Sequence, residues 1–350
     1  MNRREFLRIL AMSAAGAVLP VDSIKAAKET KVKSLENLKW RPRWVSHLGC
    51  IEGCLKYLKM DVSPAWLYGG TGHAFIINMA EDCCPSGPTA WKTVPLFELG
   101  RNLGYLIDGV FGSKRDQDLA ELQVKAWDYI KSAIDQDLPC YGWELDIPEW
   151  YVIHGYDEVG YYFSGPGCDD GKGPKPWGEV GDTGIGWLEM YSIEPCEAAE
   201  VTEIVKETFE FVLKHAQNPK DWIYPNYGAG LKGYDIWIKS LQAGTAARMG
   251  HAYNTAVWEE CRRYGVEFLS EAKERLGGDL GALFDTAIGH YEQVAAGLKT
   301  VTELYPFGEH RTMEPVGVND NSQTAAEDLT QVREAEAAGL ASLEEILPAI

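Results

Sequence analysis

Thiol and imidazole groups in the first half of the chain have the types and spacing needed for nucleophilic catalysis. Cys50 lies three residues after His47, and His73 and His154 are further candidates for a base. A cysteine that gives its proton to an imidazole becomes a thiolate, which attacks acyl carbons. Cys50 is therefore a candidate nucleophile, and the three histidines are its candidate bases. The alternatives are a buried small hydrophobic residue for Cys50, the usual role of a free cysteine, and a structural histidine for His154.

A predicted helix places the first cysteines. Leu48, Ile51 and Leu55 stand at helical spacing and predict a helix that starts at Leu48 and ends before Asp61. Apolar and aromatic segments after it predict strands, whereas 164–186 is rich in Gly, Pro and Asp and predicts a loop. The other elements predicted for this half are a helix over 116–134 and strands over 74–78, 138–143, 149–157, 160–163 and 188–193.

The composition changes after Pro195 to long helical patterns. Apolar residues recur at three- and four-residue steps, and glycine and proline interrupt them. The helices predicted from these patterns cover 196–216, 234–241, 249–272 and 280–304. The predicted organisation is an α+β domain over 36–195, a helical domain over 196–307 and an acidic, loosely attached tail over 308–350.

Charge and cysteine content exclude several classes of protein. The 350 residues include 33 basic and 52 acidic side chains, a formal net charge of −19, which argues against nucleic acid and anionic membranes as partners. The 45% hydrophobic content is enough for a folded core. The 8 cysteines show no zinc-finger spacing, so the sequence predicts no metal and no cofactor, and it leaves disulfide pairing open.

The N-terminus carries an export pattern. Arg3 and Arg4 form a twin-arginine pair, and an apolar segment over 9–19 follows it. That segment is too short to cross about 30 Å of hydrocarbon, which predicts a signal peptide over 1–27 and no transmembrane segment in the mature protein. The predicted location is the periplasm or the extracellular space.

Two motifs resemble a known fold. The segment from Cys50 to Ser63 has the pattern Cys-x3-Cys-Leu-x-Tyr-Leu-x4-Ser, and the predicted strand over 149–157 ends in Gly-Tyr-Asp. Together they resemble the papain-like fold, in particular the bacteriocin-processing cysteine peptidases and the butirosin-biosynthesis acyltransferase family. The resemblance covers about residues 40–310. It implies an α+β, papain-like domain followed by a helical domain.

The same resemblance implies a catalytic triad of cysteine, histidine and aspartate or asparagine. Counting along the motifs from Tyr57 and Gly155 places these three positions at Ser46, Glu149 and Gly165. All three are therefore substituted, and we expect them to cluster at the start of the first core helix. The alternatives are a helix N-cap for Ser46 and a solvated strand end for Glu149.

The sequence leaves three functional hypotheses open. The first is a protein with a degenerate triad that binds a peptide, an amine or a sugar in the cleft. The second is an active cysteine hydrolase or acyltransferase with a rearranged site, whose catalytic candidates are Cys50, Ser46, Glu149 and His154. The third is an interaction module that acts through the helical domain. The binding candidates are His47, His73, Trp150, Tyr156 and Asp157.

Aromatic residues are dense around the predicted cleft. They suit stacking against sugars or cationic amines, and they suit core packing in a sheet equally well. The residues concerned are Trp143, Trp150, Tyr151, Tyr156, Tyr161, Tyr162 and Trp177. The sequence predicts a small-molecule or peptide ligand without identifying it.

Overall fold

The computed structural model describes residues 32–350, so the predicted signal peptide over 1–27 lies outside the described residues. The described chain is a mixed α+β protein with two compact units. The first unit contains residues 32–61 and Tyr105–Cys196, and the second contains Val62–Gly104 and Glu197–Ile350.

Helices dominate the second unit and are few in the first. In chain order they are α1 (Ser46–Tyr57), α2 (Pro64–Gly70), α3 (Val94–Asn102), α4 (Leu119–Asp135), α5 (Val201–Ala216), α6 (Leu231–Gln242), α7 (Arg248–Leu276), α8 (Gly281–Leu304) and α9 (Asp320–Ile346). Within residues 32–350, no helix combines the length and the apolar content needed to cross a membrane.

Strands form one large and one small sheet. In chain order they are β1 (Lys33–Ser34), β2 (Asn78–Ala80), β3 (Tyr105–Ser113), β4 (Cys140–Trp143), β5 (Trp150–Tyr156), β6 (Gly160–Gly165), β7 (Cys168–Pro176), β8 (Trp187–Pro195) and β9 (Tyr227–Ala229). The large sheet belongs to the first unit and has the order β3-β8-β4-β5-β6-β7, with β1 paired to β5. Strands β2 and β9 pair in the second unit.

Helices α1 and α4 cover opposite faces of the large sheet. Tyr191 of β8 contacts Tyr141 and Trp150 on the face that carries α1. The next residue, Ser192, points the other way and lies 2.7 Å from the hydroxyl of Tyr129 on α4. Because side chains alternate along a strand, this pair fixes which residues of β8 face each helix. The central strand β5 packs against α1, as the sequence predicts for the strand that carries Gly155.

The second unit is built on long helices. Helix α8 packs along both α7 and α9, and α2 packs on α7. A cluster of aromatic side chains fills the space between them. Its members are Phe75, Phe209, Phe268, Phe284 and Tyr291.

The division of the chain differs from the prediction in two places. Residues 62–104, predicted to belong to the first domain, group with the second unit, whereas the predicted boundary after 195 matches the end of the first unit at Cys196. The predicted loose tail over 308–350 contains α9, which packs against α8 and α6. Leu329 and Leu343 of α9 are fully buried, so the tail is part of the core of the second unit.

Several predicted elements have different bounds. The segment 164–186, predicted as a loop, contains β7, an edge strand whose exposed Gly, Asp and Lys residues hide the usual alternation. The predicted strand over 74–78 is mostly turn, and β2 begins at Asn78. The first helix begins at Ser46, two residues before the predicted start, and Val45 occupies the N-cap position. The interpretation of Ser46 as the N-cap is therefore wrong.

Candidate functional site

Ser46 and Glu149 are in contact in the first unit. Ser46 is the first residue of α1, and Glu149 immediately precedes β5. The Ser46 hydroxyl donates a hydrogen bond to Oε2 of Glu149 and accepts one from the Trp150 N–H at 3.2 Å. Both side chains are buried, so Glu149 is not a solvated strand end. The serine hydroxyl therefore has a carboxylate acceptor and a backbone donor as its partners.

His47 lies beside this pair in the same buried cluster. Its ring stacks on Trp150 with the centroids 4.0 Å apart and an interplanar angle of 15°. Its Nε2 atom lies 3.2 Å from the hydroxyl of Tyr141, which is a hydrogen bond whose direction depends on the tautomer. These contacts direct Nε2 of His47 to the tyrosine hydroxyl.

Aromatic rings continue the cluster along the α1 face of the sheet. Trp150 lies 5.6 Å from Tyr141 and 6.1 Å from Tyr191, measured between ring centroids. Trp143 contacts Trp150 edge-on at 5.4 Å. All four rings are buried. Together with His47 they form what we call the aromatic cluster.

Glu189 provides a second carboxylate at the aromatic cluster. It is half-buried on β8, and the Tyr191 hydroxyl donates to its Oε2 at 2.9 Å. Burial raises the pKa of the Glu189 carboxyl to about 7, although the hydrogen bond from Tyr191 acts in the opposite direction. Carboxyl groups with a pKa near neutrality are concentrated at functional sites.

Glu144 is a further carboxylate next to the same sheet, and it is buried. It follows β4 and has a φ of +56°, a left-handed conformation that is uncommon for a residue with a side chain. Thr183 donates to its Oε2 at 2.8 Å. Burial raises the pKa of Glu144, and the hydrogen bonds from Thr183 and Trp143 partly offset this. Strained backbone of this kind persists where the surrounding structure fixes the side chain in place.

The sequence alone does not identify Glu189, Glu144 and Tyr191 as site residues. The available signal for Glu189 was its position in the predicted strand over 188–193, between Trp187 and Tyr191. Alternation places these three side chains on one face, where a carboxylate between two aromatic residues is unusual. Glu144 has no comparable local signal, because its burial depends on the partner Thr183, which is 39 residues away.

Gly165 occupies the remaining predicted triad position and cannot carry a side chain there. It lies on β6 beside Trp150 and Tyr151 of β5. A Cβ atom at this position would lie 2.6 Å from a ring carbon of Tyr151 and 3.1 Å from the carbonyl oxygen of Trp150. The tyrosine ring therefore takes the space that a third catalytic side chain would need.

Cys50 and Cys54 are fully buried on α1. Burial raises the pKa of the Cys54 thiol well above its ordinary value, and nearby Cys140 adds to the effect. Cys50 lies one helical turn beyond Ser46, inside the helix. A position within the helix leaves no free backbone N–H group to stabilise a thiolate.

The other candidates of the first unit lie elsewhere on the sheet. His154 is half-buried, and burial lowers its pKa although it forms a hydrogen bond with the backbone of Phe163. The Tyr156 hydroxyl donates to Asp135 at 2.9 Å. Asp157 accepts hydrogen bonds from the turn that follows β5, including the Val159 N–H at 2.7 Å. These three residues hold the hairpin and its neighbours together and do not contact Ser46.

His73 belongs to the second unit. It is buried beside Trp91, with the ring centroids 5.5 Å apart. Burial lowers the pKa of His73 to about 3, and His215 contributes in the same direction. The imidazole is therefore neutral at pH 7, as a structural histidine is.

Within residues 32–350, no group of three or more His, Cys, Asp or Glu side chains is placed to hold a metal ion. No protein-family model matches the chain, and no curated protein matches it.

Proposed function

We propose that this chain is an exported protein of papain-like fold that binds a ligand at substituted catalytic positions and does not transfer acyl groups. The observation that carries the proposal is the arrangement at Ser46, whose hydroxyl is held between Glu149 and the Trp150 N–H. A peptide, an amine or a sugar suits a site built from aromatic rings and carboxylates.

A serine held by a carboxylate is a weak nucleophile. A carboxylate is a much weaker base than an alkoxide, so it provides little driving force for removing a proton from an alcohol near neutral pH. The nearest imidazole in sequence, that of His47, is directed to Tyr141 instead. Gly165 supplies no group that could orient a base. The activated nucleophile, the base and the group that orients the base are therefore all absent from these positions.

The thiols support the same conclusion. An active thiolate requires partial exposure and a positive environment. Cys50 is fully buried, and its position one turn inside α1 is that of a small core residue. The rearranged cysteine enzyme is the weaker hypothesis for this reason.

Thiol labelling tests this part of the proposal. Iodoacetamide at pH 6.5 should leave Cys50 unmodified in the folded protein and modify it after unfolding in denaturant, because the folded chain excludes reagent from the thiol. Mass spectrometry of peptides measures the modification at each cysteine. The unfolded sample is the control for reagent reactivity. Rapid modification of Cys50 in the folded state, and loss of acyl-substrate turnover in Cys50→Ala, would instead establish the cysteine enzyme.

Among the three ligand classes, the site favours an amine. Aromatic faces such as that of Tyr191 attract cations, and the Tyr191 hydroxyl donates to the Glu189 carboxyl. Because the pKa of Glu189 is about 7, this carboxyl gains its charge between pH 6 and pH 8. Affinity for a cationic ligand should therefore rise over that range.

Calorimetric titration with spermidine, a neutral oligosaccharide and an uncharged peptide distinguishes the classes. We expect spermidine to bind about tenfold more tightly at pH 8 than at pH 6, because the ionised fraction of Glu189 rises from about one-tenth to about nine-tenths over this range. Glu189→Gln keeps the shape of the side chain and should abolish this pH dependence. Glu194→Gln is the matched control, since this exposed glutamate lies near the other end of β8. If none of the three ligands binds, the binding proposal is wrong.

A further inference from the structure

A groove along the C-terminal half of α1 concentrates positive charge. It has a volume of about 740 Å³ and lies entirely within the first unit. Four exposed basic side chains line it, namely Lys39, Arg41, Lys56 and Lys59. This volume is in the range of small-molecule sites. We call it the α1 groove.

The charge of the α1 groove is opposite to that of the protein. The whole chain has a formal net charge of −19, whereas the groove lining has four basic residues against the two acidic residues Glu36 and Asp137. Within residues 32–350, none of the four basic side chains forms an ion pair. Acidic side chains are abundant in this protein and could pair with surface cations. Four cations that share one groove without such a partner are therefore unusual.

Two glycines hold one wall of the groove against α1. A Cβ atom at Gly49 would lie 2.3 Å from the carbonyl oxygen of Arg41, and one at Gly53 would lie 2.3 Å from that of Lys39. The Arg41 N–H also donates to the Gly49 carbonyl at 3.1 Å. Backbone contact this close is possible only because both residues lack a side chain. The segment 39–41 is therefore fixed on the helix surface.

The sequence of this segment directs its charges outward. Trp40 is buried, and the residues on either side of it are exposed. Lys39 and Arg41 both line the groove. Lys56 and Lys59 lie at the end of α1 and complete the basic lining from the helix. The cations thus come from two elements that are packed rigidly together.

Lys59 has a backbone conformation that favours glycine. It follows the C-cap Leu58 of α1 and has a φ of +58°. Glycine is the usual residue at this position because a side chain there is strained. Asn37 and Asp137, which also line the groove, have φ values of +71° and +59°. Residues with side chains in this conformation are concentrated at functional and ligand-binding sites.

We propose that the α1 groove binds a small polyanion that carries two or more carboxylate or phosphate groups. Lysine ammonium groups and the Arg41 guanidinium donate charge-assisted hydrogen bonds to such oxygens. Four cations on two fixed elements match a ligand with several anionic groups better than a single anion. This inference does not depend on the function proposed for the Ser46 site.

Calorimetric titration of the full chain with tripolyphosphate and with citrate tests the proposal. At about 20 mM salt we expect at least one of these anions to bind with 1:1 stoichiometry, and its affinity should fall as salt is added. Binding of tripolyphosphate alone identifies phosphate groups as the ligand chemistry, and binding of citrate alone identifies carboxylates. Absence of binding by both anions overturns the proposal.

Lys59→Gly separates binding from folding. Glycine relieves the strain at this position, so the melting temperature should stay the same or rise, while anion affinity should fall about five- to tenfold. Lys125→Gln is the matched control, because this exposed lysine of α4 lies outside the groove and its loss changes the net charge equally. If both variants weaken binding equally, only the overall charge matters and the proposal is wrong.

Discussion

Glu336→Ala should lower the free energy of unfolding of the second unit by about 3–5 kcal/mol, the usual cost of leaving a buried charge without its partner. Glu336 of α9 and Arg262 of α7 are 1% and 0% exposed at their side chains. Two parallel hydrogen bonds of 2.8 Å join the guanidinium to the carboxylate. Removing the carboxylate leaves a guanidinium that is buried and cannot lose its proton.

The environment of Arg262 makes this cost hard to avoid. Its Nη1 atom donates to the carbonyl oxygens of Ala74 and Ile76 at 3.0 and 2.9 Å, so the guanidinium is held from both sides. Tyr234 also donates to Glu336, at 3.2 Å. The side chain cannot turn towards water without breaking these bonds. The ion pair therefore ties α9, α7 and the turn before β2 into one structure.

Chemical denaturation followed by circular dichroism measures the change. Glu334→Ala is the matched control, since Glu334 is an exposed glutamate on the same helix and should cost less than about 0.5 kcal/mol. The double variant Arg262→Met/Glu336→Leu should recover much of the loss, because it removes both charges together. A cost below about 1 kcal/mol for Glu336→Ala would show that water reaches Arg262.

The importance of Glu336 illustrates what the sequence could not predict. Residues 308–350 contain many Ala and Glu residues, and in such a segment a glutamate is usually solvated. The partner Arg262 is 74 residues away, and local periodicity carries no information about it. Leu329 and Leu343 do follow the helical period, so the helix was predictable although its burial was not.

Strong periodicity predicted two long helices of the second unit well. Helices α5 and α8 lie within a few residues of their predicted bounds, because their apolar residues repeat along one face. β7 was missed because Gly, Asp, Lys and Pro fill an exposed edge strand whose hydrogen bonds come from β6. Residues 62–104 were assigned to the wrong unit because their packing partners follow Cys196 in the chain.

The candidate site was predictable only in part. Counting from Tyr57 and Gly155 selected Ser46 and Glu149, which are in contact although 103 residues separate them. The position of Glu189 in this site depends on the pairing of β8 with β4, which the order of the strands along the chain does not reveal. The pKa shift of Glu189 depends on burial by its neighbours in the fold. A sequence therefore predicts positions in a motif better than the environment that gives them their chemistry.

Acidification should destabilise the second unit well before its carboxylates are protonated. His73, His215 and His251 are buried there, and burial lowers the pKa of each to about 3. In the unfolded chain a histidine has a pKa of about 6.5 and binds a proton below that pH. The unfolded state then binds more protons than the folded state. Stability is therefore complete above about pH 6.5 and is lost progressively as the pH falls towards about 3.

Substitution of His215 isolates the contribution of one buried histidine to this loss of stability. Within residues 32–350, neither of its ring nitrogens has a hydrogen-bond partner, and its neighbours are the aromatic residues Trp91, Phe211 and Trp222. Phenylalanine fits such surroundings and carries no titratable group. His215→Phe should therefore remove about 2 kcal/mol of the stability that the wild type loses between pH 8 and pH 5.

The free energy of unfolding, measured for both proteins at pH 8 and at pH 5, gives this difference directly. The value at pH 8 is the internal control, because any packing change from the substitution contributes there and cancels in the comparison. His251 should behave differently on replacement, since its Nδ1 accepts a hydrogen bond from the Trp237 indole at 2.8 Å. His251→Phe leaves that donor unpaired and should destabilise the unit at both pH values. If wild type and His215→Phe lose the same stability between pH 8 and pH 5, the imidazole of His215 is reached by water in the folded protein.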